Sequence, residues 1–330
     1  MYTQSNRWFN IVWNTLKILV AAILVWILLS KTDLNQLFAL HNRILISYLI
    51  ATVILYIFLT LFKALKYHLL IQQPTEYPRV LNIVVLQNAL ANFLANSAGM
   101  ASYLALFKIE ENVRMGQSGL VFVITKIGDL FAVWFVMIIC SFLLWHRIVA
   151  MQQIVLFLEI IVGMGFIVFF MAIFWRKWFI TSLNRLLTRF QLVRFSLVKQ
   201  IMQVLDAFSE MQQNTVFSIV FFAIGLSILH YLLTLSWMVV SMRVFSLQLE
   251  TLVIVFISGI LQLFSLVPIN VFGGLGVTEV TSLYLYSLFG VNQGEISVVL
   301  VGWRILYYLT NLVVLIYLPV YAIFIERRLK

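Results

Sequence analysis

The chain has 330 residues, of which 63% are hydrophobic and only 10% charged, and its mean hydropathy is +1.04. Soluble domains carry about 25% charged residues, so this composition excludes a soluble enzyme or binding module and makes the bilayer the solvent of the fold. The net charge of +10 is read as the Lys and Arg excess that membrane proteins keep in cytoplasmic loops, not as a nucleic-acid face.

Residues 11–29 read as a first membrane span. Arg7 and Lys17 precede it as they would a signal sequence, but no small-residue cleavage site follows Val25 to Leu29, so the span is expected to be retained. Apolar runs near the 20 or so residues that a crossing needs recur at 44–65, 118–145, 154–175, 216–240 and 297–323, which makes six spans with the first. Regions 80–107 and 251–289 are apolar but interrupted by small and polar residues, and read as broken helical hairpins. Segment 176–215 is amphipathic, with Phe179, Leu183, Leu186, Leu187 and Phe190 at helical spacing around Arg185 and Arg189. It is expected to lie along the cytoplasmic interface against anionic headgroups. The expected fold is therefore an all-α polytopic membrane protein forming a single domain over 1–330. Its first half runs to about 175, the basic segment covers 176–215, and the second half begins at about 216.

Charge sets the expected topology. The run from Arg176 to Lys199 and the terminal Arg327, Arg328 and Lys330 place both ends of the second half in the cytoplasm, and Lys63, Lys66 and Arg79 mark a further cytoplasmic loop. With two clean spans between that loop and Arg176, region 80–107 must enter and leave from the cytoplasm. By the same parity region 251–289 returns to the outer face. The halves thus form an inverted repeat, a common build of secondary transporters with the substrate site near the midplane. A multi-pass protein of the plasma membrane is expected, with N- and C-termini cytoplasmic.

The chemistry-bearing residues fall in three groups. Asn88, Asn92 and Asn96 recur at i, i+4, i+8, which stacks their amides on one helical face before a small-residue turn ending at Gly99. Such a stripe in hydrocarbon needs a partner helix or a wet cavity, and both readings stay open. Pro268, Asn270, Gly273, Gly274 and Gly276 break the second hairpin ahead of Glu279. Free N–H groups there can hold an anion, or the glycines serve only a tight turn. Lys126 and Asp129, at i, i+3, and Arg304 lie inside spans, where a central charge costs about 2.5–3.5 kcal/mol. They suit an anionic headgroup moving between two half-sites. Alternatively Lys126 pairs with Asp129 and Arg304 snorkels. His230 could relay protons, but reads rather as a buried, hydrogen-bonded histidine. The single Cys and four His give no disulfide framework and no metal spacing. No paired carboxylates at helical spacing stand in any span, so no catalytic residue, metal or cofactor is expected.

The string Pro268 to Glu279, followed by Leu288-Phe289-Gly290-Val291, resembles the Pro, GGxGxxE and LG-V pattern of the lysylphosphatidylglycerol synthase transmembrane region family, also called the flippase-like membrane domain. The stretch from Asn92 to Asp129 is similar to that family's small-residue turn with Gly followed by a basic residue and Asp, with Lys126 where arginine is usual. The resemblance implies a module that moves an anionic or modified lipid, whether aminoacylated, glycosylated or isoprenoid, between leaflets. Membrane phospholipids with anionic headgroups are then the expected partners. Because Lys330 follows the last span directly, any lipid-modifying enzyme is expected to be a separate polypeptide. A membrane-embedded lipid transferase, or an accessory subunit docking an enzyme through 176–215, are the alternatives.

Overall fold

The computed structural model describes residues 30–32, 34–71, 73–94, 96–111, 115–175, 213–264 and 274–329, with single positions at 23, 26, 178, 181, 182, 185, 188 and 189. Among these residues there are only helices and turns. In chain order they form α1 (Leu34–Ala39), a 3-10 turn, α2 (Ile46–Leu70), α3 (Tyr77–Phe93), α4 (Asn96–Glu111) and α5 (Met115–Leu143). Then come α6 (Gln152–Phe174), α7 (Gln213–Arg243), α8 (Thr251–Phe264), α9 (Val277–Leu288), α10 (Gln293–Leu315) and α11 (Tyr317–Leu329).

Five segments are long and apolar enough to cross a membrane: Ile46–Leu70, Ser118–Leu143, Val149–Met171, Thr215–Arg243 and Gln293–Ile323. They coincide with five of the six spans read from hydropathy. Nearly all of the first, 11–29, lies outside the described residues, as does most of 176–215. The protein is thus an all-α, multi-pass membrane protein. Val149–Met171 is the most apolar of the five, and only 11% of it is buried inside the molecule. Ile154, Phe157, Ile160, Met164, Ile167 and Val168 all face outward, as a lipid-facing helix requires when its solvent is hydrocarbon.

Both interrupted regions are helix pairs. Region 80–107 is α3 and α4, broken after Phe93, and region 251–289 is α8 and α9. Each arm is shorter than the roughly 20 residues of a full crossing. The element order long, short, short, long therefore occurs twice, as α2 to α5 and as α7 to α10. The second break is made by backbone conformation: Gly274 and Gly276 have φ of 82° and 83°, the left-handed region where a Cβ is penalised. The Phe289-Gly290-Val291 string ends α9. Gly290 has φ of 81°, its N–H donates to Ser287 O, and Val291 N–H donates back to Tyr286 O. That pair of bonds is the Schellman closure. Asn292 then accepts from the amides of Gly294 (2.9 Å) and Glu295 (3.2 Å), which starts α10.

The chain divides into two compact units. The first comprises Met1–Phe58, Val85–Ser102 and Thr234–Lys330; the second comprises Leu59–Val84 and Tyr103–Leu233. In the first unit α9 packs on both α8 and α10 around buried Ile254, Phe256, Tyr286, Val299 and Leu300. In the second, α5 and α6 pack through Trp134, whose Nε1–H donates to the Glu159 carbonyl at 2.9 Å, and through the rings of Phe131 and Phe166.

Gly99 belongs to the first unit, and it fixes how the arms of the first hairpin meet. A Cβ there would stand 2.6 Å from Ala91 Cβ and 2.9 Å from the Gln87 carbonyl oxygen. Neither atom is the tip of a flexible side chain, so the backbone itself would have to shift. Gly99→Val is expected to destabilise the protein by about 1–3 kcal/mol, the usual cost of overpacking. A thermal melt in detergent reads it, and an unchanged midpoint would mean that the arms do not touch at Gly99.

Candidate functional site

Two clusters of charged and polar residues stand inside the helices, one in each unit. The first is built at the start of α9. Once the glycine turn has reversed the chain, the Gly276 N–H donates to Glu279 Oε2 at 2.7 Å, and Val280 N–H returns to the Gly276 carbonyl. Glu279 is the N3 residue of a capping box. Its other oxygen, Oε1, accepts from Nε and pairs with Nη2 of Arg304. Both side chains are buried.

The Gly276 amide, one of those at the glycine break that could have held an external anion, is therefore taken by the chain's own carboxylate. Arg304, likewise, neither snorkels nor stands open. Its guanidinium lies 5.8, 5.5 and 5.7 Å from the ring centres of Trp303, Tyr307 and Tyr308, where the ring faces attract a cation. A small cavity, about one water in size, borders Glu279 and is lined among others by Met238, Ser258, Thr278, Ser282 and Trp303.

Two turns beyond Arg304 on the same face of α10 stands Asn311. Its Oδ1 accepts from Tyr56 OH at 2.5 Å and from Asn92 Nδ2 at 2.6 Å, and its Nδ2 donates to the Tyr307 carbonyl at 2.7 Å. The amide stripe on α3 has thus found a partner helix through Asn92. Asn96 heads α4, but its side chain lies outside the described residues, as do Asn270 and Gly273. Gly274 and Gly276 shape the turn. Tyr56, Tyr307 and Asn311 were not singled out from sequence, although Asn311 stands seven residues after Arg304 in an apolar run, which is a readable signal of a shared helical face.

The second cluster corrects two sequence expectations. Lys66 marks no loop: it lies within α2, 1% exposed, with Nζ 2.6 Å from Asp129 Oδ1 and 3.4 Å from Ser227 Oγ. Lys63 is within α2 as well. Asp129 accordingly pairs across helices with Lys66, and not along its own helix with Lys126. Lys126 is exposed and lies over the Phe122 ring at 5.7 Å. A Cβ on Gly128 would come within 2.8 Å of Ser227 Oγ and 3.2 Å of the Ala223 carbonyl, so α5 and α7 touch at this level. His230 stacks on Phe62 with ring centres 6.3 Å apart. Among the described residues no group of three His, Cys, Asp or Glu is placed to hold a metal.

The fold and these clusters define a polytopic α-helical membrane protein with broken hairpins and ion pairs held within its helices. The chain belongs to the lysylphosphatidylglycerol synthase transmembrane region family, whose model matches residues 14–314. That agrees with the resemblance read from Pro268 to Val291, and it ties the protein to membrane lipid. Comparisons with curated proteins and with solved structures gave no match.

Proposed function

We propose that the protein is a lipid translocase, moving an anionic or modified lipid (aminoacylated, glycosylated or isoprenoid) from one leaflet to the other. The observation that carries this reading is the polar line along α10. Arg304, Tyr307 and Asn311 share one face, joined to Glu279 and Asn92. Polar and ionisable groups at hydrocarbon depth are costly and mark substrate paths. Here they stand beside helices broken by glycine, as in transporters with midplane sites. In this reading the short arms α3–α4 and α8–α9 re-enter from opposite faces, both termini are cytoplasmic and the membrane is the plasma membrane. The cargo presents an anionic headgroup.

The test is reconstitution. Purified protein in liposomes is expected to speed the exchange of a labelled phospholipid between leaflets while leaving it chemically unaltered. Arg304→Lys, which keeps the charge but loses the planar fork that grips Glu279, is expected to slow exchange about tenfold or more, since a charged hydrogen bond contributes about 1.5–3 kcal/mol. Chemical conversion of the lipid would instead identify a transferase. Folded protein that moves nothing would point to an accessory subunit.

A further inference from the structure

We propose that the cavity beside Glu279, in the first unit, binds a sodium ion, and that this ion shares the Glu279 carboxylate with Arg304. Helices α7 to α10 all contribute to its wall, through Met238, Ser258, Thr278, Glu279, Ser282 and Trp303 among others. The hydrogens of this wall are largely spent. Ser258 donates to the Ile254 carbonyl at 2.7 Å, Thr278 to the Gly274 carbonyl at 3.0 Å and Ser282 to the Thr278 carbonyl at 2.7 Å. The Trp303 Nε1–H is engaged in the same way, donating to Ser241 Oγ at 2.9 Å. A hydroxyl has one hydrogen and two lone pairs, so these three have only lone pairs left to offer a ligand. Glu279 Oε2 holds one hydrogen bond, from Gly276 N–H, and a carboxylate oxygen has room for a second. Tyr286, also on the wall, bears a phenol that accepts as well as it donates.

A wall of acceptors decides what the space takes. A water molecule brings two hydrogens, whereas Ser258, Thr278, Ser282 and Glu279 all offer lone pairs; a cation meets every one of them at once. Size and ligand count then choose the cation. The cavity is about one water in volume, too small for an ion that keeps its hydration shell. Calcium takes roughly six to eight oxygens and magnesium retains several waters, which leaves a bare alkali ion held by hydroxyl and carboxylate oxygens. Its single charge is also the most that one carboxylate already facing a guanidinium can balance. The two cations meet different oxygens: Arg304 is on Oε1, and the oxygen with a lone pair to spare is Oε2. A sodium ion there draws on the same negative charge, so the guanidinium is held less tightly and attracts an anion more strongly. Coupling between two sites is reciprocal, so sodium and an anion at Arg304 raise each other's affinity. The ion site stands on the cavity and its oxygens alone; only the view that the anion is a lipid headgroup, with sodium as the coupling ion, rests on the translocase reading.

The experiment measures binding, not transport. Protein in phosphatidylcholine nanodiscs is titrated with radioactive sodium, choline chloride holding the ionic strength constant. Saturable binding is expected, with potassium, the larger ion, a weaker competitor. Ser258→Ala and Ser282→Ala each remove one oxygen from the wall and should weaken binding about tenfold. Each of these hydroxyls bonds a carbonyl of its own helix, so its loss leaves the fold in place. Ser287→Ala, whose hydroxyl bonds the Tyr284 carbonyl on the exposed side of α9, should change nothing. Phosphatidylglycerol in the nanodisc should raise the sodium affinity about fivefold or more. Folded wild-type protein that binds no sodium would overturn the proposal and leave the cavity to water, and so would an affinity unchanged in the double Ser258→Ala, Ser282→Ala protein. A sodium affinity indifferent to phosphatidylglycerol would overturn the coupling. Serine-dependent sodium binding in a protein that translocates nothing would sink the translocase reading and leave the ion site standing.

Discussion

Glu279→Ala is expected to destabilise the protein by about 3–5 kcal/mol, the cost of breaking a buried ion pair from one side. The residue has two tasks, and the substitution removes both. Its Oε2 accepts from Gly276 N–H, so the first turn of α9 loses its cap, typically worth about 1 kcal/mol. Its Oε1 faces Arg304, which is 7% exposed at the side chain, so a guanidinium in the interior loses this carboxylate. Variants separate the two parts. Glu279→Gln keeps an acceptor for Gly276 but not the charge, and should fall between wild type and Glu279→Ala. Removing the cation as well, in Glu279→Ala with Arg304→Met, should recover most of the loss, because a well-packed apolar replacement for a buried pair is often neutral or better. Thermal midpoints in detergent rank the four proteins. A Glu279→Ala protein as stable as wild type would mean that water reaches Arg304 and that the pair does not hold α9 to α10.

The spans were legible because a crossing is a local property. About 20 apolar residues in a row announce themselves without knowledge of any partner, and a Pro with three glycines announces a break. Partnership is not local. Asn92 meets Asn311 across 219 positions of sequence, and Asp129 meets Lys66 across 63. Spacing along α5 offered Lys126 for Asp129 at i, i+3, but those two side chains point about 60° apart around a helix of 3.6 residues per turn. Lys126 faces outward over Phe122 and Asp129 faces Lys66. Lys66 was misplaced for a related reason. Hydropathy ends the second span near residue 65, where charges begin, whereas α2 runs on to Leu70 and takes both lysines into the helix. The cytoplasmic loop thereby loses two of its three charge markers, and the topology rests on the basic segment after Arg176 and on the C-terminus. The ion pair of Glu279 and Arg304 sits between these extremes. Each residue was visible as a charge in an apolar setting, and what could not be read was that each is the answer to the other.

Asp129→Ala sets stability and ligand binding against each other. Lys66 is 1% exposed and Asp129 25%, so the substitution leaves the lysine, among the described residues, with the Ser227 hydroxyl at 3.4 Å as its remaining hydrogen-bond partner. In a membrane of phosphatidylcholine the expected loss is about 3 kcal/mol, the low end for a broken buried pair because the carboxylate is partly open. The same change removes the carboxylate paired with Lys66, so an anion that reaches the lysine should bind more tightly than to wild type. Binding to the folded form alone stabilises it by mass action. In nanodiscs containing phosphatidylglycerol the drop in thermal midpoint should therefore be smaller than in phosphatidylcholine, the lipid phosphate standing in for the lost carboxylate. Adding Lys66→Met should abolish the difference between the two lipids, since it removes the stranded charge. An equal drop in both lipids for Asp129→Ala alone would show that no anion from the membrane reaches Lys66, and the ion pair would then be part of the scaffold and not of a site.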